Sequence, residues 1–218
     1  MKFIQWIFVL LAVTISLICG VSFAELSSTE REQRIREQRE REVEEAIEHV
    51  KKVYHIRFAI ETLQPFYQSE SPNRAKIKKN LAYAIYKAAT DHEIDYRYAV
   101  ALAARESSFL PKIGTGKIDG SRGERGYFQI FPIGKAEITC SRGCNQYDIQ
   151  CNAQTAMCWL DRCRDLCGDD PWMYLGGYGR SSCPKNVSIA KTWTELRVLR
   201  GKLCNGFGED VCNELLPL

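Results

Sequence analysis

Apolar positions fall into three patterns along the chain. The first is a run from Ile4 to Cys19, with Lys2 ahead of it and "VSFA" behind it, just before Glu25. A basic start, a short apolar stretch and small residues at Ser22 and Ala24 make Met1–Ala24 the expected signal peptide. The run is short for a membrane span, and no other apolar run approaches about 18 residues. The second pattern is sparse. From Glu25 to Lys52 glutamate and arginine interleave, without Pro or Gly, and the segment favours helix. Before Val43 it has little apolar surface beyond Ile35, and Val43, Ile47, Val50 and Tyr54 then form a stripe. That spacing predicts a solvated helix whose C-terminal end docks on a domain, with a short coiled coil as the alternative. The third pattern has helical periods. After the break "QPFYQSESPNRAK", Ser71 and Pro72 suit the N-cap and first turn of a helix carrying Ile77, Leu81, Ile85 and Ala88.

A further helix is expected from Asp95 to Phe109, which has no Gly or Pro. Ala99, Leu102, Ala103 and Glu106 fall at i, i+3, i+4 and i+7 on one face, whereas Arg105 lies about 100° round the helix. Pro111 should end it. Residues 111–125 read as loop, and 149–167 as helix again. Few stretches alternate as strands do, and no internal repeat is present. The expected class is mainly α, with a charged N-terminal helix. The expected divisions are a signal peptide (1–24), a charged helical arm (25–63), a helical domain (64–185) and a cysteine-containing extension (186–218).

Charge and cysteine change this picture in two ways. The formal charge is +3 over 218 residues, and falls to +2 once the signal segment and its single Lys are removed. So balanced a chain gives no electrostatic case for nucleic acid or for a membrane surface after signal cleavage. Of the ten cysteines only Cys19 lies in the signal segment; the other nine, from Cys140 to Cys212, crowd the C-terminal part. Export and clustering together predict disulfides in an oxidising compartment, periplasmic or extracellular. An odd number leaves at least one thiol outside an intrachain bridge. The three histidines all precede this region and no CxxC pair occurs, so neither a metal site nor a cofactor is expected.

Candidate chemistry begins with Glu106. A carboxyl near a helix C-terminus, on an apolar face, faces an unfavourable dipole and the cost of burial. Both raise its pKa towards the range a general acid needs. The alternative is a glutamate paired with Arg105, Arg97 or a backbone group. In "GERGYFQIFP", Gly126 and Gln129 suggest a close backbone approach beside an amide and aromatic rings, a composition that suits sugars. In "WMYLGGYGRSSCP", three glycines surround Tyr178. That segment suits a backbone approach to a ligand with a phenol beside it; the plain alternative is an irregular loop beside a disulfide.

Taken in order, "ARESSF", "GYFQIFP" and "LGGYG" resemble the soluble, lysozyme-like lytic transglycosylases over about residues 72 to 185. The family has a Glu-Ser pair at a helix end, then Gly-x-Met-Gln with a later Pro, then a Tyr-Asn-Ala-Gly-like segment. The resemblance implies a lysozyme-like helical domain with a disulfide-rich C-terminal part. It implies Glu106 as the catalytic glutamate, and Ser107, Gly126, Phe128, Gln129 and Tyr178 as substrate-binding positions. Phe128 stands where Met is usual and Gly179 where Asn is usual. The loop between Glu106 and Gln129 is longer than the family's, and the cysteines after Cys140 lie outside its pattern. The implied partner is a peptidoglycan strand, cleaved without water to give 1,6-anhydromuramoyl ends. Two alternatives stay open. One is a hydrolase like goose-type lysozyme, with Glu124 or Asp119 activating water; the other is an inactive sugar-binding module. The N-terminal helix adds self-association as an expected partner interaction.

Overall fold

The computed structural model describes residues 2–68, 71–132, 134–141, 143–180 and 182–218, with side chains from Ser28 onward. The expected signal peptide therefore lies outside the described side chains. Ten α-helices account for the regular structure among the described residues, and the nearest approach to a strand is an isolated antiparallel bridge between Arg125 and Ile130. Among these residues no helix is long and apolar enough to cross a membrane.

The chain divides into two compact units, Met1–Val50 and Lys51–Leu218. The boundary falls inside α1 (Lys2–Leu63), not at residue 63 where the sequence suggests it. The side chains described in the first unit, from Ser28 to Val50, are almost all exposed. In the second unit the last turns of α1 turn apolar and enter the core through Ile56, Ala59 and Ile60, all fully buried.

A turn of 3-10 helix (Pro65–Gln68) leads to α2 (Pro72–Asp91), with Ser71 at the N-cap and Pro72 in the first turn. The next helix, α3 (Tyr96–Ser107), opens on Asp95, whose side chain accepts from the Arg97 amide at 2.8 Å. Its periodicity suggests one buried face, but every residue from Tyr98 to Ala104 is buried. Alanines explain this: Ala99, Ala101, Ala103 and Ala104 let neighbouring helices close round α3 on all sides. After α4 (Pro111–Gly114) and α5 (Lys135–Cys140) comes α6 (Ile149–Cys167), capped by Asp148, which packs against α2, α5 and α7 (Pro171–Arg180).

The C-terminal segment is part of this core rather than an appendage. It holds α8 (Val187–Thr192), α9 (Thr194–Phe207) and α10 (Glu209–Leu215). Helix α9 lies against α3 and buries Leu196, Leu199 and Leu203. Three side chains hold the chain end by its carbonyls: Tyr98 donates to Leu215 at 2.7 Å, Arg200 to Leu216 at 2.9 Å and Trp172 to Pro217 at 3.1 Å.

Eight cysteines form the pairs Cys140–Cys158, Cys144–Cys151, Cys167–Cys183 and Cys204–Cys212. The odd one is Cys163, a buried free thiol. The expectation of disulfides with one cysteine left over is borne out.

Candidate active site

Glu106 occupies the last turn of α3, which ends in backbone that is unusual for its residue types. Ser108 and Phe109 both adopt positive φ, +49° and +54°. Such conformations cost about 1–3 kcal/mol each outside glycine and need support. The support is visible. The Ser107 hydroxyl donates to the Ala103 carbonyl at 2.9 Å and accepts from the Phe109 amide at 3.2 Å. Gln64, just past α1, donates to the Ser108 carbonyl at 2.8 Å, and the Phe109 ring is fully buried. This turn ends α3 one residue beyond Glu106 and leaves its carboxyl 23% exposed in a cleft of about 320 Å³.

The facing wall is a tight hairpin. Arg125 and Ile130 exchange two backbone hydrogen bonds of 2.9 Å, and the Gln129 amide closes the turn on the Gly126 carbonyl at 3.1 Å. Gly126 has φ +72°, and a Cβ there would stand 2.4 Å from the Asn152 side chain. Asn152, buried on α6, takes that space. Its oxygen accepts from the Phe128 amide at 2.9 Å, and its nitrogen donates to the Arg125 carbonyl at 3.1 Å. Gln129 itself has φ +51°, and its side-chain nitrogen donates to the Gly126 carbonyl at 2.9 Å. Its other end converges with a Glu124 carboxylate oxygen on Gly120, where a Cβ would lie 2.5 Å from the first and 2.4 Å from the second.

The third wall is α7. The segment is helical, which excludes the irregular loop offered as the alternative for it, and its glycines serve close packing. A Cβ on Gly176 would meet Pro184 at 2.7 Å, and one on Gly177 the Cys167 sulfur at 3.0 Å. Tyr178 donates from its phenol to the Phe128 carbonyl at 3.1 Å, and its own carbonyl accepts from Trp159 at the same distance. Burial, and after it the charge of Glu106, hold the phenol far above its ordinary pKa, so it stays a neutral donor.

Electrostatically the cleft joins two carboxylates, each with an arginine. Arg105 donates to Glu106, so the pairing offered by the sequence as the alternative coexists with exposure to the cleft. Helical geometry puts the two residues about 100° apart, but the long arginine side chain spans that gap beside Gly179, where a Cβ would lie 3.9 Å from its guanidinium. Glu124 accepts from the Arg122 amide at 2.8 Å and from its guanidinium at 3.2 Å. Burial pushes the Glu124 carboxyl up, but the amides of Arg122 and of Glu124 itself, with the guanidinium, outweigh it and hold the pKa below the ordinary value.

Glu106, Gln129 and Tyr178 thus line one cleft, with Glu124, Phe131, Lys135, Trp159 and Gly179. Three other candidates stand behind it. Ser107 stabilises the helix end, Gly126 makes room for Asn152, and Phe128 is fully buried with its amide on Asn152. Asp119 accepts from the Tyr147 hydroxyl at 2.5 Å and is not among the residues lining the cleft. The sequence reading missed Asn152, whose only signal is an amide in an otherwise apolar helix register. Comparison with protein-family models, with curated proteins and with solved structures finds no match to this chain.

Proposed function

We propose that this protein is an exported peptidoglycan lytic transglycosylase, acting in the periplasm or outside the cell with Glu106 as its catalytic acid and base. The observation that supports it is that Glu106, Gln129 and Tyr178, far apart in sequence, line one cleft. In this reading the protonated Glu106 donates to the glycosidic oxygen between N-acetylmuramic acid and N-acetylglucosamine, and the bond to the muramoyl C1 breaks. The substrate's acetamido group supports the oxocarbenium-like centre. The carboxylate left behind is paired by Arg105, a charge-assisted contact that stabilises it. It then takes the proton of the C6 hydroxyl as that oxygen closes on C1. The proton returns to Glu106 and no water enters. Gln129 and Tyr178 act as positioning residues for the acid and the sugar.

One observation favours a second reading. Glu124 lines the same cleft and is held as a carboxylate at neutral pH, the state in which it could take a proton from water. That chemistry would make the protein a hydrolase. Mass spectrometry of soluble products from purified peptidoglycan separates the two. Anhydro-muropeptides, lighter by one water, uphold the transglycosylase; reducing-end products transfer the reaction to the Glu106–Glu124 pair. No product from wild type would reject both.

A further inference from the structure

We infer that the first unit is a dimerisation arm, which pairs with the same arm of a second copy of this chain as a parallel, in-register coiled coil. Helix α1 exposes four large apolar side chains among the described residues of this unit, and three of them, besides Ile35, form one stripe. Val43 is 57% exposed, Ile47 49% and Val50 67%. Their spacing of four and then three residues is that of d, a and d positions in a heptad repeat. A side chain that keeps this much apolar surface in water gains by burying it against a like stripe.

Charge decides what covers the stripe. In the register set by Val43, Ile47 and Val50, Arg39 takes a g position and Glu44 the e position of the next heptad. In a parallel pair those two positions face each other across the seam, so Arg39 of one copy meets Glu44 of the other, twice by symmetry. Arg36 and Glu40 take the d and a positions ahead of the stripe. In register each faces its own copy, so these like-charged layers cost stability and confine the apolar seam to residues 43–50. The same arm is ill suited to an anionic surface, because glutamate outnumbers arginine between residues 30 and 50 and Glu44 and Glu48 flank the stripe. The complementary surface is therefore a copy of itself. This inference is independent of the chemistry at Glu106.

The test uses the mature chain in analytical ultracentrifugation across micromolar to millimolar concentration. The wild type is expected to approach dimer mass, and Ile47→Glu to stay monomeric with an unchanged melting temperature of the second unit. Glu44→Lys is expected to weaken the dimer several-fold, and Arg39→Glu with Glu44→Lys to recover most of the loss. Val50→Cys reports orientation: in a parallel, in-register pair the two added thiols meet, and mild oxidation gives a covalent dimer on a non-reducing gel. A wild type that stays monomeric overturns the inference. So does a dimer that Ile47→Glu leaves intact, or one that Val50→Cys fails to link.

Discussion

Asn152 on α6 accepts the Phe128 amide at 2.9 Å and donates to the Arg125 carbonyl at 3.1 Å, so one buried amide holds both sides of the turn that carries Gln129. The cleft wall is thereby fixed from a helix that contributes only Trp159 to the lining. Asn152→Ala strands the buried Phe128 N–H, at a cost of about 1–3 kcal/mol, and takes one of two donors from the Arg125 carbonyl, which keeps the Ile130 amide. Chemical denaturation is expected to show a loss in that range, and cleavage of peptidoglycan is expected to fall further than stability alone explains.

Glu106→Gln keeps the size and the helix end of the wild-type residue and removes the titrating group. It is expected to abolish product formation, read by mass spectrometry, while the denaturation midpoint shifts little. Full activity in this variant would refute the role given to Glu106.

The three glycines of α7 should answer differently to alanine. Gly176→Ala and Gly177→Ala drive a methyl towards Pro184 and towards the Cys167 sulfur, and overpacking of this kind costs about 1–3 kcal/mol. Gly179→Ala faces only the Arg105 guanidinium at 3.9 Å, and alanine gains up to about 1 kcal/mol of helix propensity over glycine. Thermal melting is expected to rank Gly179→Ala at or above wild type and the other two below it.

Acid stability should carry the mark of Glu124. Its folded pKa lies below the ordinary value, so its ionised form contributes stability that is fully present above the unfolded value of about 4.3. That contribution is lost as the pH falls through the lower folded value. Glu124→Gln should therefore be less stable than wild type at neutral pH, and the difference should shrink in acid. Denaturation midpoints measured down to about pH 3 would show it.

Thiol chemistry gives the last prediction. Burial pushes the Cys163 thiol up to about 12, so the native protein should resist alkylation at mildly alkaline pH and react only on unfolding. Reduction should act elsewhere: opening the Cys167–Cys183 bridge frees a loop of 16 residues and costs about 3 kcal/mol, seen as a lowered melting temperature.

How far the sequence reveals this structure depends on the range of the forces involved. The starts of α2, α3 and α6 follow local chemistry, since Pro72, Asp95 and Asp148 act within a turn of themselves. Helix α7 is obscured because glycine signals a turn when only neighbours in sequence are considered. Here Gly176 and Gly177 answer to Pro184 and Cys167, which the fold brings in. The burial of α3 on all sides depends likewise on α9, a long way down the chain. Within the site, Glu106 and Gln129 carry chemical meaning in sequence. Asn152 does not, because the partners that tie it to the site, the Phe128 amide and the Arg125 carbonyl, are backbone groups of a distant turn.

The pattern of the cysteine pairs sets a demand on how the chain matures. Cys144–Cys151 lies inside the loop closed by Cys140–Cys158, and Cys163 is passed over before Cys167 finds Cys183. An oxidant that joins thiols in the order they emerge would link Cys140 to Cys144, Cys151 to Cys158 and Cys163 to Cys167. Each of those links must be undone before the native set can form, and such reshuffling takes seconds to hours. Oxidation of the reduced chain with an oxidase alone is therefore expected to leave misbridged species, and an added disulfide isomerase to recover the native set.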